Sequence, residues 1–318
     1  MFSNHDELVK AAYNVLLDRD PEPGGLKYWS SALQNGLRKE EFLRAFLHSL
    51  EFREKMGSID ELGKYADVDL VIPIKGCRLQ VPSADLSLVP YLLDYRCWEP
   101  HVSRYLTLNL RSADVFMDVG ANLGYYTVLC APLVKRVIAF EPVCISHQYC
   151  KTNIALNNLS NVDLYKCGLW HGETNTRIRI DRSSMMGAFI SSNDGSATEG
   201  ESIRCVSLDD LIRRGELQLS RLNVVKMDIE GAEASALKGM LQTIEQFRPK
   251  ILMELNRPTL ERFGKTIDDI WNFFSNVSYR IKAFEQWKET DPKPVDTLED
   301  LKTLCPPDSL IDVLAEAL

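Results

Sequence analysis

Four carboxylates stand where apolar runs of the sequence come to an end: Asp118, Glu141, Asp228 and Glu254. Asp118 lies in Asp114-Val-Phe-Met-Asp-Val-Gly-Ala-Asn-Leu-Gly-Tyr-Tyr-Thr127, whose apolar start is too short for a buried helix and reads as a strand. The run then breaks into Gly120, Asn122 and Gly124, and helical apolar spacing resumes after it. A strand, a tight glycine turn and a helix start make a site for a small anionic or nucleoside ligand. Glycine lets the backbone come close, and the free amides of the helix start face the ligand. Glu141 closes Val137-Ile-Ala-Phe, about twenty residues past the turn, where a carboxylate can accept both hydroxyls of a ribose.

The dinucleotide fingerprint Gly-x-Gly-x-x-Gly fails at two positions, where Asn122 and Tyr125 replace glycine. A pyrophosphate would meet side chains where it needs bare backbone. Asp118 and the amides around Gly120 suit a molecule with both a charged amine and a carboxylate, and S-adenosylmethionine is such a molecule. Methyl transfer from a sulfonium is an in-line displacement: the acceptor oxygen must be held near the methyl group and give up its proton. Asp228 and Glu230 are the base candidates, Asp228 first because it ends a strand. Glu233 is read as stabilising the positive end of the helix it opens. His147, expected at the surface, and His171 are further titratable candidates. A magnesium ion held by Asp228 with Glu254 or Asn256 is an alternative that is not preferred. Lys226 sits inside an apolar strand and needs a carboxylate, for which Glu99 and Glu254 are the candidates.

These residues require a particular set of elements around them. Val137–Phe140, Asn161–Cys167, Leu222–Asp228 and Lys250–Glu254 read as further strands alternating with helices, which implies a mostly parallel sheet covered on both faces. Ligands in such sheets bind at the carboxyl ends of the strands, so Cys167 is expected on the same rim, beside the cofactor. Glu233 to Phe247 reads as one helix, and Thr176–Ile180 with Ser183–Gly200 as a hairpin with a polar loop. Asp291–Val295 reads as a loop and the tail from Ser309 as a short helix. Upstream, Leu70–Ile74 and Cys77–Pro82 flank Lys75-Gly76 as a hairpin. Helical spacing over 84–110 brings Tyr91, Tyr95, Trp98, Glu99 and His101 near the expected pocket mouth. The organisation is a small helical domain over 1–60 and a second domain over 65–318, with a lead-in (65–113) and a Rossmann-like core (114–290).

Composition bounds the partners. The chain has 318 residues, 45% of them apolar and 26% charged, as in ordinary globular proteins. A net charge of -8 argues against a nucleic-acid partner. No apolar run is long enough to span a membrane, and no secretory signal is read at the start. Eight scattered cysteines without a Cys-x-x-Cys pair fit a reducing compartment, hence a cytoplasmic location.

Two resemblances follow. Leu17-x-Arg19-x-Pro21-x-x-x-Gly25-x-x-x-Trp29, Gly36 and Ser49-Leu-Glu-Phe52 resemble a small phycobilisome-linker-like domain of unknown function, which implies a docking or packing role. Phe116–Thr127, Ala139-Phe-Glu-Pro142, Asn153-x-x-x-Asn157, Val206-Ser-Leu-Asp209 and Val225–Glu233, with Arg248-Pro249 and Glu254 after them, resemble the FkbM family of methyltransferases, in family order. That resemblance implies a class I methyltransferase fold, an α/β Rossmann-like three-layer sandwich preceded here by the small all-α domain. It also implies S-adenosyl-L-methionine as donor and a sugar, glycan precursor or related metabolite as O-methyl acceptor. By position it puts Asp118, Gly120, Asn122 and Gly124 around the methionine part and Glu141 on the ribose. The alternatives are N-methylation, a lipid or natural-product acceptor, or a largely non-catalytic protein docked to a glycan-assembly system.

Overall fold

Alternation of buried and exposed positions decides the fold from the first hairpin onward. In the computed structural model, residues 5–17, 19–34, 42, 69–82, 85, 88–180, 188–190 and 200–318 are described. The chain divides into two compact units, Met1–Asp67 and Val68–Leu318. In the first, α1 (His5–Leu17) and α2 (Pro23–Gln34) bury Leu8, Val9, Ala12, Tyr13, Leu17 and Leu33 together with Phe42. Arg19 pairs with Glu22 at 2.7 Å and lies over the Tyr13 ring. Gly25 lies against the ends of the Tyr13 and Glu22 side chains, which a Cβ there would displace. From the sequence, Phe42, Ala45, Phe46, Ser49 and Phe52 also read as a third helix and residues 57–63 as a connector; both lie outside the described residues apart from Phe42.

In the second unit, β1 (Asp69–Ile74) and β2 (Cys77–Pro82) form the expected hairpin. Its turn has Lys75 and Gly76 at φ 33° and 88°, the two left-handed residues such a two-residue turn requires. Then come α3 (Val89–Tyr95), α4 (Pro100–Asn109), β3 (Val115–Val119), α5 (Tyr125–Cys130), β4 (Arg136–Phe140), α6 (Cys144–Leu156) and β5 (Val162–Tyr165). A small second sheet follows: β6 (Gly168–Leu169), β7 (Thr174–Ile180), β8 (Ala188–Ile190) and β9 (Glu201–Val206), in the order β6-β9-β7-β8. The rest of the loop expected over 183–200 falls outside the described residues, apart from Gly200. The remaining elements are α7 (Leu208–Arg213), β10 (Val224–Met227), α8 (Glu233–Gly239), α9 (Leu241–Phe247), β11 (Lys250–Asn256), α10 (Arg257–Arg262), α11 (Ile267–Asn276), β12 (Tyr279–Ala283), β13 (Lys293–Val295), α12 (Leu298–Leu304) and β14 (Leu310–Ala317).

The main sheet has the order β13-β12-β14-β11-β10-β3-β4-β5. Strands β11, β10, β3, β4 and β5 run parallel, and β14 runs antiparallel between β11 and β12. The central strands are buried on both faces: Val115, Met117 and Val119 enter one apolar cluster and Phe116 the other. This is the three-layer α/β sandwich the strand–helix alternation requires. Among the described residues no helix is long and apolar enough to cross a membrane.

Three local expectations need correction. The tail is a strand, not a helix: Ile311 to Ala315 are all buried, and the slot between β11 and β12 outweighs the helical preference of Leu, Ala and Glu. The main sheet therefore continues past residue 290. The helix expected over Glu233–Phe247 breaks at Met240, because the end of α8 packs against the chain at Trp170 so closely that Gly239 admits no Cβ. The segment 291–295 contributes β13, a short edge strand on which Pro294 forfeits no central ladder bond.

Candidate active site at the carboxyl ends of the strands

A cleft with about 1100 Å³ of empty space, open solvent at its mouth included, lies over the ends of β3, β4 and β10. Gly120 opens the turn after β3 at φ 83°. Its N–H and that of Ala121 both donate to the Phe140 carbonyl, each at 3.0 Å. A Cβ on Gly120 would collide with the Asp228 carbonyl oxygen, so the turn and the end of β10 touch through bare backbone.

Glu141 fixes the other side of the turn. Its Oε2 accepts the Asn122 N–H at 2.8 Å and its Oε1 accepts the Val143 N–H at 2.8 Å. Burial pushes its carboxyl up to about 7, against the pull of the two amides. Each oxygen keeps a lone pair for a further donor, as two ribose hydroxyls would require. Beyond it the cleft wall is apolar, with Val143, Leu169, Trp170, Ile178 and Ile203. The bare-backbone turn, the two-pronged acceptor and the apolar wall together fit S-adenosylmethionine.

Gly120, Asn122, Glu141, Asp228 and Glu230 all line this cleft; Asp118, Gly124 and Cys167 do not. Asp118 is buried beneath the turn, where its Oδ2 accepts the Thr127 hydroxyl at 2.6 Å and burial raises it to about 6. Gly124, at φ 88°, lets α5 start against Cys150 of α6. Cys167 packs in the core, and Gly168, Leu169 and Cys205 face the cleft near it. His171 is exposed, His147 half-buried, and neither lines the cleft.

The second wall carries the charge. Lys226 is 1% exposed, 3.3 Å from Asp228 Oδ2 and 3.9 Å from Glu99 Oε2, with its ammonium over the Tyr126 ring. Tyr126 donates to the same Glu99 oxygen. Of the two partners expected for Lys226, Glu99 is one; Glu254 forms no ion pair with it, and Asp228 takes that place. Burial raises Glu99 to about 7, although Lys226 opposes the shift. Glu230 turns into the cleft from a left-handed backbone at φ 53°. Burial, with Asp228 and Glu233 adding to it, pushes its carboxyl up to about 8. Glu233 does the work of a helix end: its Oε1 accepts the Ile229 and Gly231 N–H groups at 3.1 and 3.2 Å. Carboxylate oxygens of Glu99, Asp228 and Glu254 lie within 4.8 Å of one another, a spacing that could hold a cation, but Lys226 already stands against two of the three.

Two features near this wall have no local sequence signal. His101, fully buried, accepts the Trp287 N–H on Nδ1 at 3.2 Å and so donates from Nε2 to Asp312 Oδ2 at 2.9 Å. Tyr91 stacks on Trp287 at 4.9 Å, and Trp98, which lines the cleft, meets both edge-on. The aromatic character of 91–98 was legible; its partner at 287 was not.

Comparison with known proteins places this geometry. The model of the methyltransferase FkbM domain matches residues 118–281, just over half of the chain. A domain of unknown function (DUF4214) matches residues 3–56. The chain is 30% identical over 147 residues to the hexuronic acid methyltransferase AglP of Haloferax volcanii, a match covering 46% of this chain and 58% of that protein. It is 24% identical over 186 residues to the methyltransferase sdnD of Sordaria araneosa, covering 49% and 71%. The chain thus spans little more than half the length of AglP. A crystal structure of the methyltransferase FkbM of Methylobacillus flagellatus is 16% identical, with a TM-score of 0.41, covering 92% of this chain and 71% of that one. On the match over 118–281, which takes in Asp118, Gly120, Glu141, Asp228 and Glu230, the chain belongs to the methyltransferase FkbM domain family.

Proposed function

We propose that this protein transfers the methyl group of S-adenosylmethionine to a hydroxyl of a sugar, a glycan precursor or a related metabolite. The observation that carries this reading is the pinned turn: Glu141 holds the Asn122 amide at 2.8 Å in the cleft that Asp228 and Glu230 also line. S-Adenosylmethionine supplies an activated methyl group on a positively charged sulfur. The protein's own part is to hold, to orient and to take a proton. Glu141 accepts the ribose hydroxyls, and the turn through Gly120 and Asn122 bears on the methionine part. Asp118, Gly124 and Cys167 support that surface from behind. Asp228, paired with Lys226 at 3.3 Å, accepts the hydrogen bond of the acceptor hydroxyl and orients it. Glu230 takes the proton, since burial gives it the affinity that a general base near neutral pH needs. The name of the relative AglP supports a sugar as acceptor. The eight free cysteines support a reducing compartment, the cytoplasm. Chemistry is assigned to the second unit alone, and docking to the first.

The test is calorimetric titration with S-adenosylmethionine. Wild type should bind, and Glu141→Ala should bind at least tenfold more weakly while keeping its thermal transition. A folded wild type that does not bind the donor would overturn the reading.

A further inference from the structure

We infer that the acceptor is a neutral or amine-bearing hydroxyl compound, and that the cleft rejects acidic sugars. The inference rests on the sugar reading above and narrows it. Among the described residues lining the cleft, the charged ones are Glu141, Asp228 and Glu230, all carboxylates. Glu141 belongs to the donor's end. On the acceptor's side stand Asp228 and Glu230, with Glu99 and Glu254 behind Asp228. Among the described residues, no cation lines the cleft. Lys226 is buried at 1% exposure between Asp228 and Glu99. Arg262 acts on Glu230, whose proton affinity it lowers, and does not line the cleft.

A ligand carboxylate would enter this wall as a further like charge in a space where water screens poorly. Burial and mutual repulsion already hold protons on Glu99 and Glu230. An anionic ligand would tighten that hold and keep the base protonated, whereas an ammonium would release the proton. The apolar side suits a ring: Leu88 and Trp98 line the cleft, and Trp98 is braced by Tyr91 and Trp287. This sets the chain apart from AglP, whose name assigns it a hexuronic acid, at 30% identity over 147 residues.

The experiment uses the full chain with S-adenosylmethionine and three 4-nitrophenyl glycosides of one hexose: the glucoside, the 2-amino-2-deoxyglucoside and the glucuronide. Formation of S-adenosylhomocysteine is followed, with donor binding measured in parallel. The expected result is a kcat/KM for the glucuronide at least tenfold below that of the better of the other two. A glucuronide accepted as well as the others overturns this inference and leaves the sugar reading standing. Transfer to none of the three by an enzyme that binds the donor overturns the sugar reading, and the inference with it. Failure to bind the donor overturns both, together with the methyl-donor reading.

Discussion

The Glu141 carboxylate accepts the backbone N–H of Asn122 at 2.8 Å, so the end of β4 and the turn that follows β3 are joined by a group that itself titrates. Burial puts that carboxyl at about 7 in the absence of ligand. Ribose hydroxyls can both donate to it only when it is ionised, so the bound state has the lower proton affinity. Binding of S-adenosylmethionine should therefore release a proton near neutral pH. Affinity should weaken as pH falls through 7, approaching tenfold per unit. Calorimetry in two buffers of different ionisation enthalpy checks both statements, and an affinity flat from pH 6 to 8 would remove Glu141 from the ligand contacts.

Glu230 should set the pH dependence of turnover. It must lose its proton before it can accept one, and its carboxyl is pushed up to about 8. Rates under saturating conditions are expected to rise between pH 7 and 9 and then level. Glu230→Gln should lower kcat by roughly 10²–10⁴-fold with donor affinity little changed. An unchanged rate in that variant would move the base to Asp228.

Gly120→Ala should be far more damaging than an added methyl group suggests. The residue sits at φ 83°, and the new Cβ would collide with the Asp228 carbonyl. Strain alone is expected to destabilise the protein by more than about 1 kcal/mol. The displaced turn should also lose donor binding. A denaturant melt alongside a binding titration separates the two effects.

The ammonium of Lys226 stands 3.3 Å from Asp228 and 3.9 Å from Glu99, where a divalent ion would otherwise be sought. Turnover should survive treatment with a strong chelator unchanged. Lys226→Met leaves the buried Glu99 and the half-buried Asp228 without their cation and is expected to cost about 3–5 kcal/mol. Adding Glu99→Gln should recover part of that stability without recovering turnover, because Asp228 would remain unpaired.

His101 and Asp312 form a buried pair across the unit, with the imidazole tautomer set by the Trp287 amide. Asp312→Ala strands a buried N–H donor and should lower stability by about 1–3 kcal/mol. Asp312→Asn keeps an acceptor oxygen in place and should lose less. Equal melting temperatures for wild type and Asp312→Ala would refute the pairing.

What could be read in advance was whatever a few neighbouring residues decide. Gly120, Asn122 and Glu141 announce themselves by ending apolar runs with turn residues and an acid, and the same local rule finds Asp228 and Glu230. The rule also sweeps in Asp118, which shares the rim pattern but points to Thr127, because a strand's end does not say which face its last side chains take. The pairing of His101 with Asp312 joins positions 211 residues apart and leaves no trace in either neighbourhood. The tail from Leu310 to Ala317 was illegible for another reason: its residue types favour a helix, and only the vacant place between two strands makes it extended.

That tail has a consequence for how the protein comes to be made. β12 and β13 reach the rest of the sheet only through β14. Until residues 310–317 have left the ribosome, β11 presents an open row of amides and carbonyls to any other nascent chain, and β12 has no seat. Closure of the sheet thus waits on a strand made after every other strand it joins, and a chain cut before Leu310 would expose the same sticky rail for good.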